Sequence, residues 1–257
     1  MSTALITGAS GGIGLELARL MAADGHDMIL VARSAEKLEA LAQELRQRHN
    51  VAVRVIATDL AAPDGVGQLM QGLGDTPIDI LVNNAGRGDF GQFQEVRWEA
   101  YQQTLQLNMV ALTELIHAVL PAMIERNDGQ VINIASTGAF QPLPWMAVYG
   151  ATKSYVLSLS EALTYELRHT GVKVLALCPG ATQSGFATAA NASHSSNFTP
   201  DNTATPAAVA AYVLGQIHRQ RRGVAVHGLV NRLRAHVAPM SPRAIVLRMA
   251  DLTMRPR

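Results

Sequence analysis

Tyr149 and Lys153 are the two side chains whose types and spacing most directly suggest acid–base chemistry in this sequence. A separation of four residues places both side chains on one face of a helix. Because an ammonium beside a phenol favours the phenolate, we expect Lys153 to lower the pKa of Tyr149 toward neutrality. The tyrosine could then exchange a proton with an alcohol or carbonyl oxygen near neutral pH.

Tyrosine–lysine pairs at this spacing are common on helix surfaces, so the pair alone favours a structural role. Three further features accompany it. Asn-Asn-Ala-Gly at residues 83–86 closes a predicted strand, Asn108 lies in a long helical pattern, and Ser136 follows another predicted strand. The combination favours a catalytic role for Tyr149 and Lys153 over a structural one.

A glycine-rich loop lies between the first predicted strand and the first predicted helix. Its spacing is T-G-x-x-x-G-x-G over residues 7–14, with Gly8, Gly12 and Gly14 in the glycine positions. Glycines let the backbone approach a pyrophosphate, and the helix N-terminus presents free N–H groups to the anion. A glycine turn without a ligand is the alternative, which the strand–loop–helix context disfavours.

Arg33 ends the second predicted strand, where an NAD-binding unit usually carries an acid for the ribose 2′-hydroxyl. An arginine there attracts a 2′-phosphate instead, and Ser10 could add a hydroxyl donor. We therefore expect NADP(H) as the cofactor, whose oxidised nicotinamide would help Lys153 to lower the pKa of Tyr149. The alternative is an arginine that only decorates a helix start, where a cation is mildly unfavourable.

The elements that must position these residues follow from the alternation of short apolar runs and helical patterns. The apolar runs predict seven strands at residues 4–7, 28–32, 51–57, 78–83, 130–135, 172–178 and 223–226. The clearest helical patterns cover residues 14–23, 34–49 with Ser34 as N-cap, 98–126 with a kink or break at Pro121, and 149–169. The pattern predicts an α/β fold, a doubly wound parallel sheet (Rossmann fold) with helices on both faces. We expect residues 1–257 to form one domain.

With these motifs in order, the chain resembles the single-domain branch of the short-chain dehydrogenase/reductase family over roughly residues 1–226. Pro-Gly-Ala-Thr at residues 179–182 adds to the resemblance. The resemblance implies that Ser136 hydrogen-bonds the substrate oxygen, and that Lys153 also holds the nicotinamide ribose. It further implies that Asn108 supports a water chain that relays protons to Lys153, while the nicotinamide carries the hydride.

The resemblance also implies further cofactor contacts. Asp59 would contact the adenine, with a helix N-cap role as an equal alternative. The backbone of residues 84–86 would pass beside the adenosine ribose while the asparagine side chains steady the sheet. Thr182 would touch the carboxamide or pyrophosphate, unless its hydroxyl only stabilises a turn. The complete predicted cofactor set is Gly8, Ser10, Gly12, Ile13, Gly14, Arg33, Asp59, Leu60, Asn84, Ala85, Gly86, Tyr149, Lys153, Pro179, Gly180 and Thr182.

Composition excludes several other classes of protein. The 257 residues carry 21 basic and 20 acidic side chains, a balance that argues against a nucleic-acid binder. Cys178 is the single cysteine, so no intrachain disulfide or cysteine-based zinc site can form, and the eight scattered histidines predict no metal site. The N-terminus lacks a basic signal-peptide region and no apolar run reaches about 18 residues, so we expect a cytoplasmic protein.

The net charge of +1 conceals an asymmetry. Residues 219–257 contain nine arginines and one acid, so the first 218 residues sum to −7 and the tail to +8. We expect residues 228–257 to form a basic helical extension, with Leu229, Val230, Leu233 and Val237 on one face and a last helix starting at Ser241-Pro242. This extension could be a lid or subunit contact, a contact with an anionic membrane surface, or a solvated basic end.

Substrate recognition should lie in residues 87–93, 140–146 and the loop 183–205. Trp145 and Met146 suggest an apolar pocket wall, or else a cover for the helix end. Arg87 could pair with a substrate anion or be a solvated loop arginine.

We predict an NADP(H)-dependent oxidoreductase that interconverts a small-molecule carbonyl and alcohol, with reduction favoured. The alternatives are a non-catalytic dinucleotide-sensing or scaffold protein on the same fold, and a nicotinamide-recycling epimerase or dehydratase. The family resemblance implies a homo-dimer or homo-tetramer.

Overall fold

The computed structural model describes residues 2–192, 195–199 and 202–256. The predicted substrate-side loop 183–205 is therefore described only in part, because residues 193, 194, 200 and 201 lie outside the described residues. Residues 1 and 257, which the predicted domain includes, lie outside them as well.

The described residues form a sheet of seven parallel strands in the order β3-β2-β1-β4-β5-β6-β7. The strands are Thr3–Thr7 (β1), Asp27–Ala32 (β2), Val53–Ala57 (β3), Ile80–Asn83 (β4), Gly129–Ile134 (β5), Val172–Cys178 (β6) and Gly223–Val226 (β7). The predicted fold class is confirmed, and each predicted strand end lies within two residues of the observed one.

Ten α-helices accompany the sheet within the described part of the chain. They are Gly12–Ala23 (α1), Ala35–His49 (α2), Gly65–Leu73 (α3), Trp98–Leu105 (α4), Leu112–Glu125 (α5), Ala147–Glu166 (α6), Phe186–Ala189 (α7), Pro206–His218 (α8), Leu229–Met240 (α9) and Arg243–Met254 (α10). The predicted N-cap of α2 is present, since the Ser34 hydroxyl accepts the N–H of Lys37 at 3.4 Å. The last helix starts one residue later than predicted, with Pro242 in the N-cap position.

Both faces of the sheet are covered by helices. Helices α1, α2 and α8 pack on one face, and α3, α5 and α6 pack on the other. Successive strand residues alternate between the two cores, as Leu5 and Ile6 do. Burial on both sides explains why the strands are near-continuous apolar runs in the sequence.

The sheet order places one crevice at the carboxyl ends of the strands. Strand β1 lies between β2 and β4, so the connections leave in opposite directions on its two sides. Ligands of open α/β sheets bind outside the strand ends at such a switch point. The glycine loop and the segments that follow β4, β5 and β6 all emerge at this edge.

The long helical pattern that starts at Trp98 is not broken at Pro121, which lies inside α5. The irregularity comes earlier, where residues Gln106–Ala111 form a π-helix between α4 and α5. Asn108 lies in this segment, and its side chain bonds the backbone of Arg87 instead of solvent. A π-turn admits one extra residue per turn, which is a common way to aim a functional side chain.

The continuous helical run Trp98–Glu125 is long and apolar enough to cross a bilayer by length and composition. In this fold it carries part of the sheet's apolar cover, with Leu112, Leu115, Ile116, Val119 and Met123 buried. The core helix of a globular domain can have the same length and composition, so these two properties do not identify a membrane span.

Close packing at Gly14 joins the glycine loop to β4. The Asn84 amide donates to the carbonyl oxygens of Thr7 and Gly8, at 2.8 and 3.3 Å. A Cβ at Gly14 would lie 2.5 Å from both the Gly8 oxygen and the Asn84 Nδ2. The helix can therefore approach the loop only because Gly14 has no side chain.

We expect Gly14→Ala to lower the free energy of unfolding by about 1–3 kcal/mol, because overpacking must displace the loop or Asn84. Gly215→Ala is the matched control, since it also lies in a helix and its Cβ would meet nothing within 4 Å. That control should gain about 0.5–1 kcal/mol from helix propensity. Urea unfolding measures both, and equal effects of the two substitutions would contradict the packing argument.

Candidate active site

The first turn of α1 is open toward the crevice. Gly8 has φ of 70° and donates its N–H to the Val31 carbonyl at 2.7 Å, which turns the chain sharply after β1. The N-cap residue of α1 is Gly11, so no side chain caps the first N–H groups of the helix. The hydroxyl of Ser10 has no hydrogen-bond partner within the described residues. This turn can accept an anion through its backbone N–H groups.

Arg33 lies directly after β2 at the same edge of the sheet. Its side chain is exposed and makes no ion pair or hydrogen bond with any described residue. Asp59 is exposed after β3, and its carboxylate accepts the N–H of Ala61 at 3.0 Å. It does not cap the following helix, because α3 begins at Gly65 with Asp64 in the N-cap position. A free guanidinium at this edge is available to an anionic ligand.

The segment after β4 is held by hydrogen bonds rather than by packing alone. The hydroxyl of Thr7 accepts the N–H groups of Asn84 and Ala85, at 3.0 and 2.9 Å. The Asn83 amide donates to Asn133 on β5, and Asn133 donates to Ser160 on α6, each at 2.9 Å. Both asparagine side chains of residues 83–86 therefore tie sheet elements together and leave the backbone to line the crevice.

Asn108 is buried, and its amide group is fully engaged. The side-chain oxygen accepts the Arg87 N–H at 3.0 Å, and the amide donates to the Arg87 carbonyl and to Thr152 Oγ1, at 2.8 and 3.0 Å. Thr152 precedes Lys153 on α6, so the π-helix is joined to the helix that carries the lysine. The sequence did not single out Thr152, and only its place beside Lys153 could have drawn attention to it.

Lys153, Tyr149 and Ser136 meet at the carboxyl end of β5. Lys153 is buried and donates from Nζ to the Ile134 carbonyl at 2.7 Å. Its Nζ lies 5.8 Å from the centre of the Tyr149 ring. Ser136 lies near enough to the tyrosine phenol to lower its pKa, and its hydroxyl accepts the Gly138 N–H at 3.0 Å.

The pKa of Tyr149 shifts in the direction opposite to the predicted one. Burial raises it to about 12, and the Ser136 side chain offsets only part of the effect. Burial also lowers the pKa of Lys153 to about 8. The prediction considered the attraction between ammonium and phenolate but not the desolvation that both groups share. In the protein alone Tyr149 is a protonated phenol at neutral pH.

The turn after β6 closes the other side of the site. The Pro179 carbonyl accepts the Thr137 N–H at 2.9 Å. The Thr182 hydroxyl is buried and donates to the Gly180 carbonyl at 3.1 Å, which matches the turn-stabilising alternative. Asn231 of α9 lies against Gly180, where a Cβ would be 2.5 Å from its amide nitrogen. The C-terminal extension is therefore packed on this turn.

An apolar cluster surrounds the tyrosine. Its ring centre lies 5.2 Å from that of Phe186 on α7. The cluster consists of Met146, Ala190, Ala192 and Met254, with Phe90, Leu143, Trp145, Tyr149, Phe186 and Phe198 packed against them. Met254 comes from α10, so the C-terminal helix supplies part of the wall. Trp145 and Met146 were predicted to form this wall, and Phe186 lies in the loop 183–205 that was assigned to substrate recognition. Met254 was not predicted as part of the wall.

Trp145 connects three segments of this wall. It has a left-handed φ of 67°, stacks on Phe90 at 6.1 Å, and accepts the Gly91 N–H on its carbonyl at 2.9 Å. Its indole Nε1 donates to Asp251 on α10 at 2.9 Å. Asp251 is the only acid of the tail, which is the signal that could have identified it. This contact and Met254 hold α10 against the wall of the cleft, and a lid function of the extension stays a prediction.

The Arg87 side chain is partly buried and contacts neighbouring residues. Its guanidinium pairs with Asp89 at 3.1 Å and hydrogen-bonds Gln103. These contacts hold the side chain against α4 as part of the loop structure, and the pairing of Arg87 with a substrate anion stays a prediction.

The family model of the short chain dehydrogenases matches residues 2–195. An uncharacterized oxidoreductase of Staphylococcus epidermidis is 32% identical over 179 residues, which cover 69% of this chain and 76% of the relative. A solved short-chain dehydrogenase from Sphingobium yanoikuyae in complex with NADPH has a TM-score of 0.84 and 35% identity, over 98% of this chain and 96% of that one.

A second solved structure, a bulky-bulky ketone specific alcohol dehydrogenase from Comamonas testosteroni, has a TM-score of 0.78 and 32% identity. The match covers 95% of this chain and 96% of that one. The family match spans the glycine loop, the segment after β4, and the Ser136, Tyr149 and Lys153 positions. The chain therefore belongs to the short-chain dehydrogenase family and is an oxidoreductase.

Proposed function

We propose that this protein is an NADP(H)-dependent reductase that converts a bulky, largely apolar ketone or aldehyde to its alcohol. The observation that carries the proposal is the meeting of Ser136, a protonated Tyr149 and a buried Lys153 at the crevice edge, beside the open first turn of α1.

The residues at the crevice fit a nicotinamide dinucleotide. The uncapped turn of α1 suits a pyrophosphate, and a Cβ at the N-cap residue Gly11 would meet nothing within 4 Å, so this approach is open. The free guanidinium of Arg33 and the free hydroxyl of Ser10 suit a 2′-phosphate, which an acid at residue 33 would repel. The solved relative in complex with NADPH supports the same choice. When bound, the nicotinamide supplies the hydride.

The protein's own residues would then handle the oxygen of the substrate. Ser136 and Tyr149 would hydrogen-bond the carbonyl oxygen, and Tyr149 would deliver its proton as negative charge develops there. Lys153 would stabilise the resulting phenolate through the attraction between opposite charges, which burial strengthens. Asn108, through Thr152, holds the lysine's helix in register with the π-helix.

The protonation state of Tyr149 suits the reduction direction. A reductase needs a proton donor, and burial keeps Tyr149 in the phenol form at neutral pH with a pKa of about 12. Lys153, with a pKa of about 8, exchanges its proton near neutrality and can return one to the tyrosine.

The apolar cluster around Tyr149 supports a bulky apolar substrate. Phe186, Met146 and Met254 would face the part of the substrate that carries no oxygen. The similarity to a ketone-specific alcohol dehydrogenase described as bulky-bulky agrees with this assignment.

We expect Arg33→Ala to weaken NADPH binding by about 10–100-fold, because one charge-assisted contact contributes about 1.5–3 kcal/mol. NADH binding should not change, since NADH lacks the 2′-phosphate. Fluorescence titration of both cofactors measures the effect, with Arg97→Ala, another exposed arginine, as the matched control. Wild-type preference for NADH, or equal weakening of both cofactors, would contradict the assignment.

Tyr149→Phe should reduce kcat by about 10²–10⁴-fold, the usual contribution of a general acid, while NADPH affinity is retained. The measurement is NADPH consumption with the best ketone of a panel. Tyr155→Phe is the control on the same helix, because its hydroxyl bonds Thr113 at 2.8 Å and not the site. Retained turnover in Tyr149→Phe would refute the mechanism.

Trp145→Phe removes the donor to Asp251 but keeps an aromatic ring in the wall. We expect the KM for bulky ketones to rise about tenfold, the loss of one hydrogen bond to a charged group, with kcat nearly unchanged. Asp251→Ala should have the same effect, and the double substitution should add little to either one. Asp251→Asn keeps an acceptor oxygen and should recover part of the loss. If the KM changes of the two single substitutions add fully in the double variant, the two residues do not act through their mutual hydrogen bond.

A further inference from the structure

Exposed apolar side chains concentrate on the last two helices. Across the described residues, most of the large hydrophobic side chains that face solvent belong to α9 and α10, and these are between 42% and 87% exposed. They are Leu229, Val230, Leu233, Val237 and Met240 on α9 and Ile245, Leu247, Met249 and Leu252 on α10. Such a patch marks an interaction surface rather than ordinary exposure.

On α9 these side chains form one continuous stripe. At about 100° per residue, the five apolar residues fall within a sector of about 100°, directly opposite the buried Ala235. Arg232 and Arg234 lie on the two borders of the stripe. An apolar stripe bordered by arginines is typical of a helix that lies in a membrane interface.

Helix α10 repeats the pattern on a smaller scale. Val246, Ala250 and Met254 face the protein, and Ile245, Met249 and Leu252 occupy the opposite side with Arg248 beside them. Asp251 is turned inward to Trp145. The outward surface of both helices therefore combines apolar and cationic side chains without an outward acid.

The charges decide between a second copy and a lipid surface as the occupant. Arg232, Arg234 and Arg248 form no ion pair with any described residue. A two-fold contact would place this face against itself and bring like charges together, with no free carboxylate to neutralise them. Anionic lipid headgroups would pair with the arginines while the acyl boundary receives the stripe.

We propose that the outward faces of α9 and α10 dock in the plane of an anionic lipid bilayer. The surface adjoins the substrate side of the crevice, because Asn231 of α9 lies against Gly180 and α10 supplies Met254 to the apolar wall. The proposal concerns binding and stands independently of the reductase assignment.

The test is flotation of the full-length protein with vesicles of pure phosphatidylcholine and of phosphatidylcholine with phosphatidylglycerol. We expect flotation with the anionic vesicles, which 0.5 M NaCl weakens, and none with pure phosphatidylcholine. Leu229→Gln/Leu233→Gln should reduce binding at least about tenfold, since two exposed leucines lose their transfer into the acyl boundary. Arg232→Gln/Arg234→Gln should reduce binding mainly at low salt.

The matched controls are Ile124→Gln, an exposed apolar residue on α5, and Arg48→Gln/Arg97→Gln, which removes two exposed charges elsewhere. Both should float like the wild type, and every variant should keep its thermal midpoint and gel-filtration volume. Absence of flotation, equal flotation with pure phosphatidylcholine, or unchanged flotation of the leucine variant would overturn the proposal. A changed gel-filtration volume in the leucine variant would show a second copy as the occupant and would overturn it too.

Discussion

The arrangement of the site depends on how the fold accommodates one buried cation. Lys153 is removed from water, and its Nζ contacts the Ile134 carbonyl at 2.7 Å. Burying an ammonium without a carboxylate costs several kcal/mol, and the lowered pKa of about 8 expresses that cost. The Ile134 carbonyl at the end of β5 offsets part of it by accepting this hydrogen bond. Helix α6 is thereby held at the end of β5, and Tyr149 with it.

Hydrogen bonds to the backbone also fix the polar side chains around Lys153. Three polar side chains near it are bonded to the backbone: Asn108 to Arg87, Thr152 to the Tyr149 carbonyl, and Ser136 to Gly138. The π-helix contributes to this network, because it directs the Asn108 side chain toward Arg87, which follows β4, and toward Thr152 on α6. Burial keeps Tyr149 protonated by raising its pKa, which suits proton donation.

The predictable part of the structure is the part whose causes are local. Parallel strands buried on both faces leave apolar runs, and the glycine loop is a contiguous pattern, so both follow from the sequence. Helix α8 was not predicted, although Thr205 and Pro206 form a standard helix start. It could not have found the Trp145–Asp251 contact, which joins residues 106 positions apart, nor the direction of the Tyr149 pKa, which depends on burial.

Asp251 sets which face of α10 contacts the site and which face is exposed. A segment with nine arginines and one acid has no obvious orientation in the sequence. In the fold, Asp251 bonds Trp145 and turns Met254 inward, which leaves Arg248 and the apolar residues Ile245 and Met249 outside. The inward face then completes the wall around Tyr149. The outward face carries the cationic charge that the acidic body of the chain does not neutralise, so the two faces can act on different partners through one helix.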